Sequence, residues 1–270
     1  MKKNPFQIKK IDDDTFSLRE PFSNCMLYLL TGRDSALLID TGMGTADLQQ
    51  AVQALTQKPV TVVNTHGHLD HIANNHQFEN IYLCDKDREV FRAHTNPTYV
   101  KKLVKQAVPA VLRPFLKSKM DNMLHPKPGG VYHPLAEGHC FDLGGRVIEV
   151  IETPGHTPGS VCLLEKARKT LYTGDTICDW GILLHLDYSL TPQEYLESVK
   201  KLSEYQPLVA SLHPGHRLHT LGTEYIDQYL ACAEGIVSGT LAAKQMQKGG
   251  EHWLETRYGS ICIQHKNKAE

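Results

Sequence analysis

The chain has 270 residues, a formal charge of −1 and 41% hydrophobic residues. That length and apolar share suffice to bury a sizeable core, in one α/β domain or two closely joined halves. The near-neutral balance argues against a long basic face of the kind that binds nucleic acid wholesale, while leaving room for a local basic patch.

The N-terminal MKKNPFQIKKIDDD has no apolar run long enough for a signal peptide. No stretch reaches the ~18 apolar residues that a membrane span needs. Cys25, Cys84, Cys140, Cys162, Cys178, Cys232 and Cys262 are scattered and form no C-x-x-C pair. They read as reduced thiols in the core, which predicts a cytoplasmic protein that neither enters a membrane nor binds nucleic acid.

From Phe6 to Asp40 the pattern predicts short strands in TFSLRE, CMLYLL and ALLID, separated by turn residues such as TGRD. TGMGT breaks that run. Thr45 is placed to cap a helix from about Ala46 to Gln57, with Leu48, Val52 and Leu55 on one face. PVTVVN follows as a buried strand and THGHLDH sits where it ends; IYLCD is another strand. Between residue 86 and about 128, the spacing of Val100, Leu103, Val104, Val108, Leu112 and Leu116 is helical, interrupted by Pro97, Pro109 and Pro114.

Strands return in RVIEVIETPG, SVCLLEK and KTLYTGD. Thr191-Pro192-Gln193-Glu194 is a capping box with proline at the first helical position, opening a helix to about Tyr205. PLVASLHPGHR is a further strand, followed by a long helix from roughly Thr223 to Gln247 and a last strand in WLETRYGSICIQ. Strands, a helix, more strands, and then the same order again predict an α/β chain folded as a four-layer αββα sandwich. The expectation is one domain over 1–270, with 86–128 inserted as a helical, cap-like segment.

The chemistry gathers just past strand ends. His66, His68, Asp70 and His71 follow TVVNT; His156 lies in TPGHTPGS, Asp175 in LYTGDT and His216 in SLHPGHR. Strand ends on one edge of a sandwich converge, so these groups can meet although far apart in sequence. Imidazole with carboxylate suits zinc, iron or manganese, and seven such groups exceed what one tetrahedral ion takes. Two ions are the natural solution: His66, His68 and His156 for one, Asp70, His71 and His216 for the other, and Asp175 bridging. Asp70 is thereby both a ligand and the candidate catalytic carboxylate. Two divalent ions ~3.5–4 Å apart trap a hydroxide at neutral pH and stabilise the oxyanion formed on attack. Lone histidines such as His94, His125 and His252 read instead as surface or satisfied core residues.

The motifs THGHLDH, TPGHTPGS, TGD and PGH, with LLIDTGMG upstream, resemble those of the metallo-β-lactamase-fold hydrolase superfamily, and within it the glyoxalase II-like group. The resemblance runs from about Asn24 to His216. It implies a dinuclear centre, most simply of zinc, with iron and manganese as alternatives. It also implies cleavage of esters, thioesters, lactones, amides or phosphodiesters. Asp40 falls where the family carries a carboxylate that orients a ligand histidine, and it reads equally well as a turn aspartate ending a strand. HPGHRLH offers His213, His216 and His219; the Pro-Gly-His pattern of the family selects His216 and leaves His213 behind it or at the strand end.

The substrate is less legible. PGHRLH departs from the Gly-His-Glu-Tyr-like segment of enzymes that take glutathione thioesters, and the final helix is poor in basic residues until Lys244. Acyl-homoserine lactonases of this fold carry a tyrosine three residues after the bridging aspartate, where this chain has Cys178. Residues 86–128 hold ten lysines and arginines against three acidic residues. Such a cap would steer an anionic small molecule, or it is an ordinary solvated face. Trp180, His185 and Tyr188, on the loop leaving Asp175, line a pocket or pack the cap. The expectation is a dinuclear hydrolase of a small ester, thioester or lactone, anionic if the basic segment steers it rather than forming a solvated face. The alternatives are a mononuclear iron enzyme resembling persulfide dioxygenases, a phosphodiesterase or ribonuclease, and a non-catalytic metal scaffold.

Overall fold

The computed structural model describes residues 5–20, 24–107, 130–217 and 220–266. The chain divides into two compact units, Met1–Leu135 with Cys140–Val147, and Ala136–His139 with Ile148–Glu270. His219, His125 and the part of the predicted insertion that carries Pro109 and Pro114 lie outside the described residues.

The first unit is organised on seven strands that lie side by side in chain order: β1 (Gln7–Asp12), β2 (Thr15–Arg19), β3 (Met26–Thr31), β4 (Ala36–Ile39), β5 (Val60–Val63), β6 (Asn80–Cys84) and β7 (Val131–Leu135). A short β8 (Cys140–Asp142) belongs to the same unit. β1 to β4 pair antiparallel in succession, whereas β4 to β7 are parallel. Parallel neighbours require crossovers. These carry α1 (Leu48–Gln53), α2 (Leu69–Ile72), α3 (Arg88–Thr95) and α4 (Pro97–Ala107). Leu18, Leu27, Leu29, Leu38, Val62 and Ile81 from the sheet form a core with Leu48, Ala51 and Val52 of α1.

The parallel register decides where the chemistry falls. Ile39 lies opposite Val63, and Val63 opposite Tyr82, so the residues leaving β4 and β5 emerge together at one sheet edge. Asp40 and the Asn64–His66 turn are therefore neighbours.

The predicted cap of α1 is corrected. The helix begins at Leu48 and is capped by Asp47, whose side chain accepts from Gln50 N at 3.0 Å. Thr45 is drawn elsewhere, because its peptide N–H donates to the buried Glu20 carboxylate at 2.8 Å. Asp47 is also the stronger acceptor of the two for the positive end of a helix.

In the second unit, β9 (Val147–Glu152), β10 (Val161–Glu165) and β11 (Thr170–Gly174) pair antiparallel in succession, and β11 pairs in parallel with β13 (Ser211–Pro214). A second sheet runs β12 (Ile182–Leu184), β16 (Ile261–His265), β15 (Glu251–Tyr258), β14 (Ala243–Lys248). Two helices, α5 (Pro192–Tyr205) and α6 (Glu224–Ser238), bury Tyr195, Leu196, Val199 and Leu202, and Ile226, Tyr229, Cys232 and Ile236. These side chains share one core with Ile151, Leu164 and Leu171 of the first sheet and Ile182, Leu184, Ile261 and Ile263 of the second. The capping box at Thr191 is formed, with Thr191 and Glu194 each accepting from the other's peptide N–H.

The helix expected to reach Gln247 stops at Ser238. Gly239 takes a left-handed φ of 75° and ends it, and Thr240 N returns to Gly235 O at 2.9 Å. Residues 243–248 then pair with β15 over their whole length. Helix-favouring residues such as Ala243, Lys244 and Gln245 yield to a strand partner, the usual outcome when tertiary pairing opposes a weak propensity. The single last strand likewise divides into β15 and β16, turned at Gly259, where φ is 55°.

Candidate metal centre

In the first unit, the histidine turn leaves β5 and enters α2. His66, His68 and His71 are buried, while Asp70 keeps 28% of its side chain exposed. Asp40 organises this turn from the end of β4. Its φ is 61°, a conformation that costs a non-glycine residue about 1–3 kcal/mol and persists only where surrounding bonds impose it. Those bonds are present. Asp40 Oδ1 accepts from Thr65 N and Oδ2 from the Thr65 hydroxyl, each at 2.8 Å, and His71 Nδ1 lies 2.8 Å from the same Oδ2.

The direction of each proton follows from chemistry. An ionised carboxylate only accepts, so His71 carries its proton on Nδ1 and turns the Nε2 lone pair the other way. The Thr65 hydroxyl spends its single proton on Asp40. Its oxygen therefore accepts from His66 Nδ1, 3.1 Å away, and His66 also presents an unprotonated Nε2. One carboxylate thus sets two imidazoles.

His66 Nε2 lies 3.1 Å from His68 Nδ1. Two nitrogens bound at ~2.0–2.1 Å around a tetrahedral ion stand about 3.3 Å apart, so this pair matches one edge of such a site. Asp70 Oδ2 is 3.8 Å from His71 Nε2, and the buried Cys25 thiol donates to that oxygen at 3.7 Å.

In the second unit, His156, Asp175 and His216 follow β9, β11 and β13. His156 Nδ1 lies 2.8 Å from Leu183 O; a carbonyl only accepts, so this ring too presents its Nε2. That Nε2 is 3.6 Å from Asp175 Oδ2, and His216 Nε2 is 3.2 Å from the same oxygen. His213 is placed differently: it stays in β13 opposite Tyr172 and stacks on that ring at 5.3 Å and 25°. Histidine and aspartate side chains of the kind that bind a metal ion thus occur in both units.

The donor set fits a divalent ion. Three imidazoles, His66, His71 and His156, are each tied at Nδ1 to an acceptor that leaves Nε2 as the ligand atom, the arrangement that fixes ring orientation in metal sites.

Several supports are invisible in the linear motifs. Tyr195 of α5 donates to Thr176 O at 2.9 Å and Tyr229 of α6 to Cys178 O at 2.7 Å, pinning the turn after Asp175 from two helices. Burial pushes both phenols, and the Cys178 thiol, well above their ordinary pKa values. Cys178 is accordingly a protonated, fully buried thiol donating to Gly174 O at 3.5 Å. Gly155 leaves room for Tyr195: a Cβ there would stand 2.6 Å from the Tyr195 ring. Ser189 donates to His156 O at 2.9 Å. The only signal for Tyr195 was its place on the apolar face of a capped helix.

Trp180 and Tyr188 are half-buried, and Trp180 meets the His216 ring edge-on at 6.2 Å. His185 stacks on Trp253 at 4.8 Å and 16°. Arg217, next to His216, was not singled out from the sequence. It takes a left-handed φ of 68° and its guanidinium, half exposed, lies 3.4 Å from Asp179.

Residues 19–234 match the family model described as the metallo-beta-lactamase superfamily. The human acyl-coenzyme A thioesterase MBLAC2 is 27% identical over 249 residues, covering 83% of this chain and 88% of that protein. The hydroxyacylglutathione hydrolase GloC of Haemophilus influenzae is 27% identical over 163 residues, 59% of this chain and 68% of its own. Among solved structures, a metallo-beta-lactamase from Pontibacter korlensis aligns with a TM-score of 0.59 at 16% identity, over 85% of this chain and 99% of that one.

The fold is the α/β sandwich of metal-dependent hydrolases. The chain belongs to the metallo-β-lactamase superfamily, and its relatives are consistent with the glyoxalase II-like group. No described helix is long and apolar enough to cross a membrane.

Proposed function

We propose that this hydrolase cleaves the thioester of an acyl group on an anionic carrier of the coenzyme A type. The residues would hold two divalent ions, zinc in the first instance: His66, His68 and His156 would serve one, Asp70, His71 and His216 the other, and Asp175 would contribute to both. The observation that carries this reading is the set of three imidazoles already turned, by acceptors behind them, to offer Nε2. When bound, such a pair of ions supplies an activated water at neutral pH and positive charge for the oxyanion that develops.

The chain's own residues supply the rest. Asp40 holds two rings in their ligating tautomers, and Leu183 O and Ser189 hold His156 from behind. Tyr195 and Tyr229 keep the Asp175 turn rigid, so that the shared carboxylate needs no reorganisation. The thioester reading is supported by the thioesterase activity named for MBLAC2 and for the Aspergillus fumigatus atrochrysone carboxyl ACP thioesterase, which is 25% identical over 196 residues, 70% of this chain and 49% of that protein. Arg217 supports an anionic carrier. A cationic side chain held in a strained conformation beside a ligand histidine suits recognition better than packing.

The test is a panel of acyl-coenzyme A thioesters, the matching acyl-pantetheine thioesters and oxygen esters, assayed before and after chelation and re-metallation. Acyl-coenzyme A should be preferred, and activity should vanish in chelator and return with about two ions per chain. Arg217→Ala should lower kcat/KM for acyl-coenzyme A about tenfold and leave acyl-pantetheine unaffected, since only the former carries the extra phosphates. Chelator-insensitive turnover, or equal turnover of oxygen esters, would overturn the proposal.

A further inference from the structure

We propose that His94, together with Asp87, is a positioning residue for His68, and that the first helix of the segment read as a cap is part of the metal centre's foundation. This rests on the reading of His68 as a ligand.

His68 stands between two peptide N–H groups, at Gly67 and Leu69. Both are bound by side chains at the two ends of α3, one from its N-cap residue and one from its last turn. Gly67 N donates to Asp87 Oδ2 at 2.6 Å, and Leu69 N donates to His94 Nδ1 at 3.0 Å. Asp87 is the residue that precedes α3 and His94 lies in its last turn, so the helix grips the turn at both ends. Asp87, His94 and His68 are all buried.

His94 also touches His68 directly. The two rings lie 4.6 Å apart at 35°, and His94 also meets Tyr99 edge-on at 5.1 Å. The fit leaves no slack: a Cβ on Gly67 would stand 2.9 Å from Phe91 N of α3.

The physical consequence is specific. A peptide N–H can only donate, so His94 Nδ1 must keep its lone pair toward Leu69, which fixes the tautomer and the orientation of the His94 ring. The two clamped peptides hold His68 at φ −72° and ψ 149°, and the ring face of His94 limits how the imidazole can turn about Cβ–Cγ. A core histidine that merely filled space would need neither the acceptor bond nor the tilted ring contact. Partners of this kind behind a metal ligand contribute about 10–100-fold to metal affinity.

The experiment is a chelator-competition titration of the full chain with Zn2+, paired with the visible absorption of the Co2+-loaded protein. Wild type is compared with His68→Ala, His94→Ala, His94→Gln, His94→Phe and Val100→Ala, the last a buried α4 residue that controls for general loosening. In His94→Ala, one of the two ions should bind about 10–100-fold more weakly and its Co2+ bands should shift, while the other ion is unchanged. His94→Gln, which retains an acceptor for Leu69 N, should recover most of the loss, whereas His94→Phe, which retains only the ring, should recover less. Val100→Ala should lower Tm without moving either ion. Wild-type affinities and bands in His94→Ala would overturn the proposal, as would an equal loss in Val100→Ala at matched Tm. Metal content indifferent to His68→Ala would overturn the ligand reading itself, and this proposal with it.

Discussion

Replacing Asp40 by asparagine changes one atom and should reverse two imidazoles. The asparagine amide can still accept from Thr65 N with its oxygen, but it presents an N–H₂ where Oδ2 now takes the Thr65 hydroxyl and His71 Nδ1. A donor at that place makes His71 Nδ1 an acceptor, which moves the ring proton to Nε2. It also turns the Thr65 hydroxyl to donate toward His66 Nδ1, with the same result there. To bind an ion each ring must then give up one hydrogen bond, about 1 kcal/mol net. His66 and His71 serve different ions in the proposed centre, so each ion should bind about 1 kcal/mol more weakly, about fivefold in its own dissociation constant. The fold should lose less, because asparagine keeps the shape and tolerates the left-handed φ of 61° better than most residues. The assay is zinc competition against a chromophoric chelator, with nitrogen-15 spectra of the apo protein reporting each histidine tautomer. Wild-type affinity, or Nε2 still unprotonated in the asparagine variant, would refute the reasoning.

Other outcomes follow from the same geometry. His216→Ala should cost far more activity and metal than His213→Ala, since His216 reaches Asp175 at 3.2 Å and His213 stacks on Tyr172; the reverse ordering in a metal titration would move the ligand to His213. Gly155→Ala forces a methyl to 2.6 Å from the buried Tyr195 ring. Overpacking of that kind costs about 1–3 kcal/mol, so calorimetry should show Tm lowered by several degrees. Burial holds the His185 pKa below its ordinary 6.5, so the unfolded chain binds the extra proton first. Stability should therefore fall as pH drops below about 6.5 and level off beneath the lower folded value. His185→Phe should flatten that limb in urea titrations between pH 5 and 7, values set by the reference range for histidine.

The candidate ligand residues, their order and their station just past strand ends were all legible in the chain. Metal chemistry demands particular side chains, and a turn out of a strand demands glycine or proline beside them, so His66, His156, Asp175 and His216 announce themselves in short motifs. The capping box at Thr191 was legible for the same reason: its partners are three residues apart. What tertiary structure alone decided lies in bonds between distant residues. Asp40 could be a strand-end aspartate or a partner of a histidine until the parallel register of β4 and β5 brought Thr65 and His71 to it. The helix expected to reach Gln247 broke at Gly239 because β15, far along the chain, offers residues 243–248 a partner that helix propensity cannot match. His94 read as a surface or satisfied core histidine, and nothing in the local sequence singled out Asp87. Only the packing of α3 against the histidine turn, across twenty and twenty-five residues of sequence, makes them acceptors for the peptides on either side of His68.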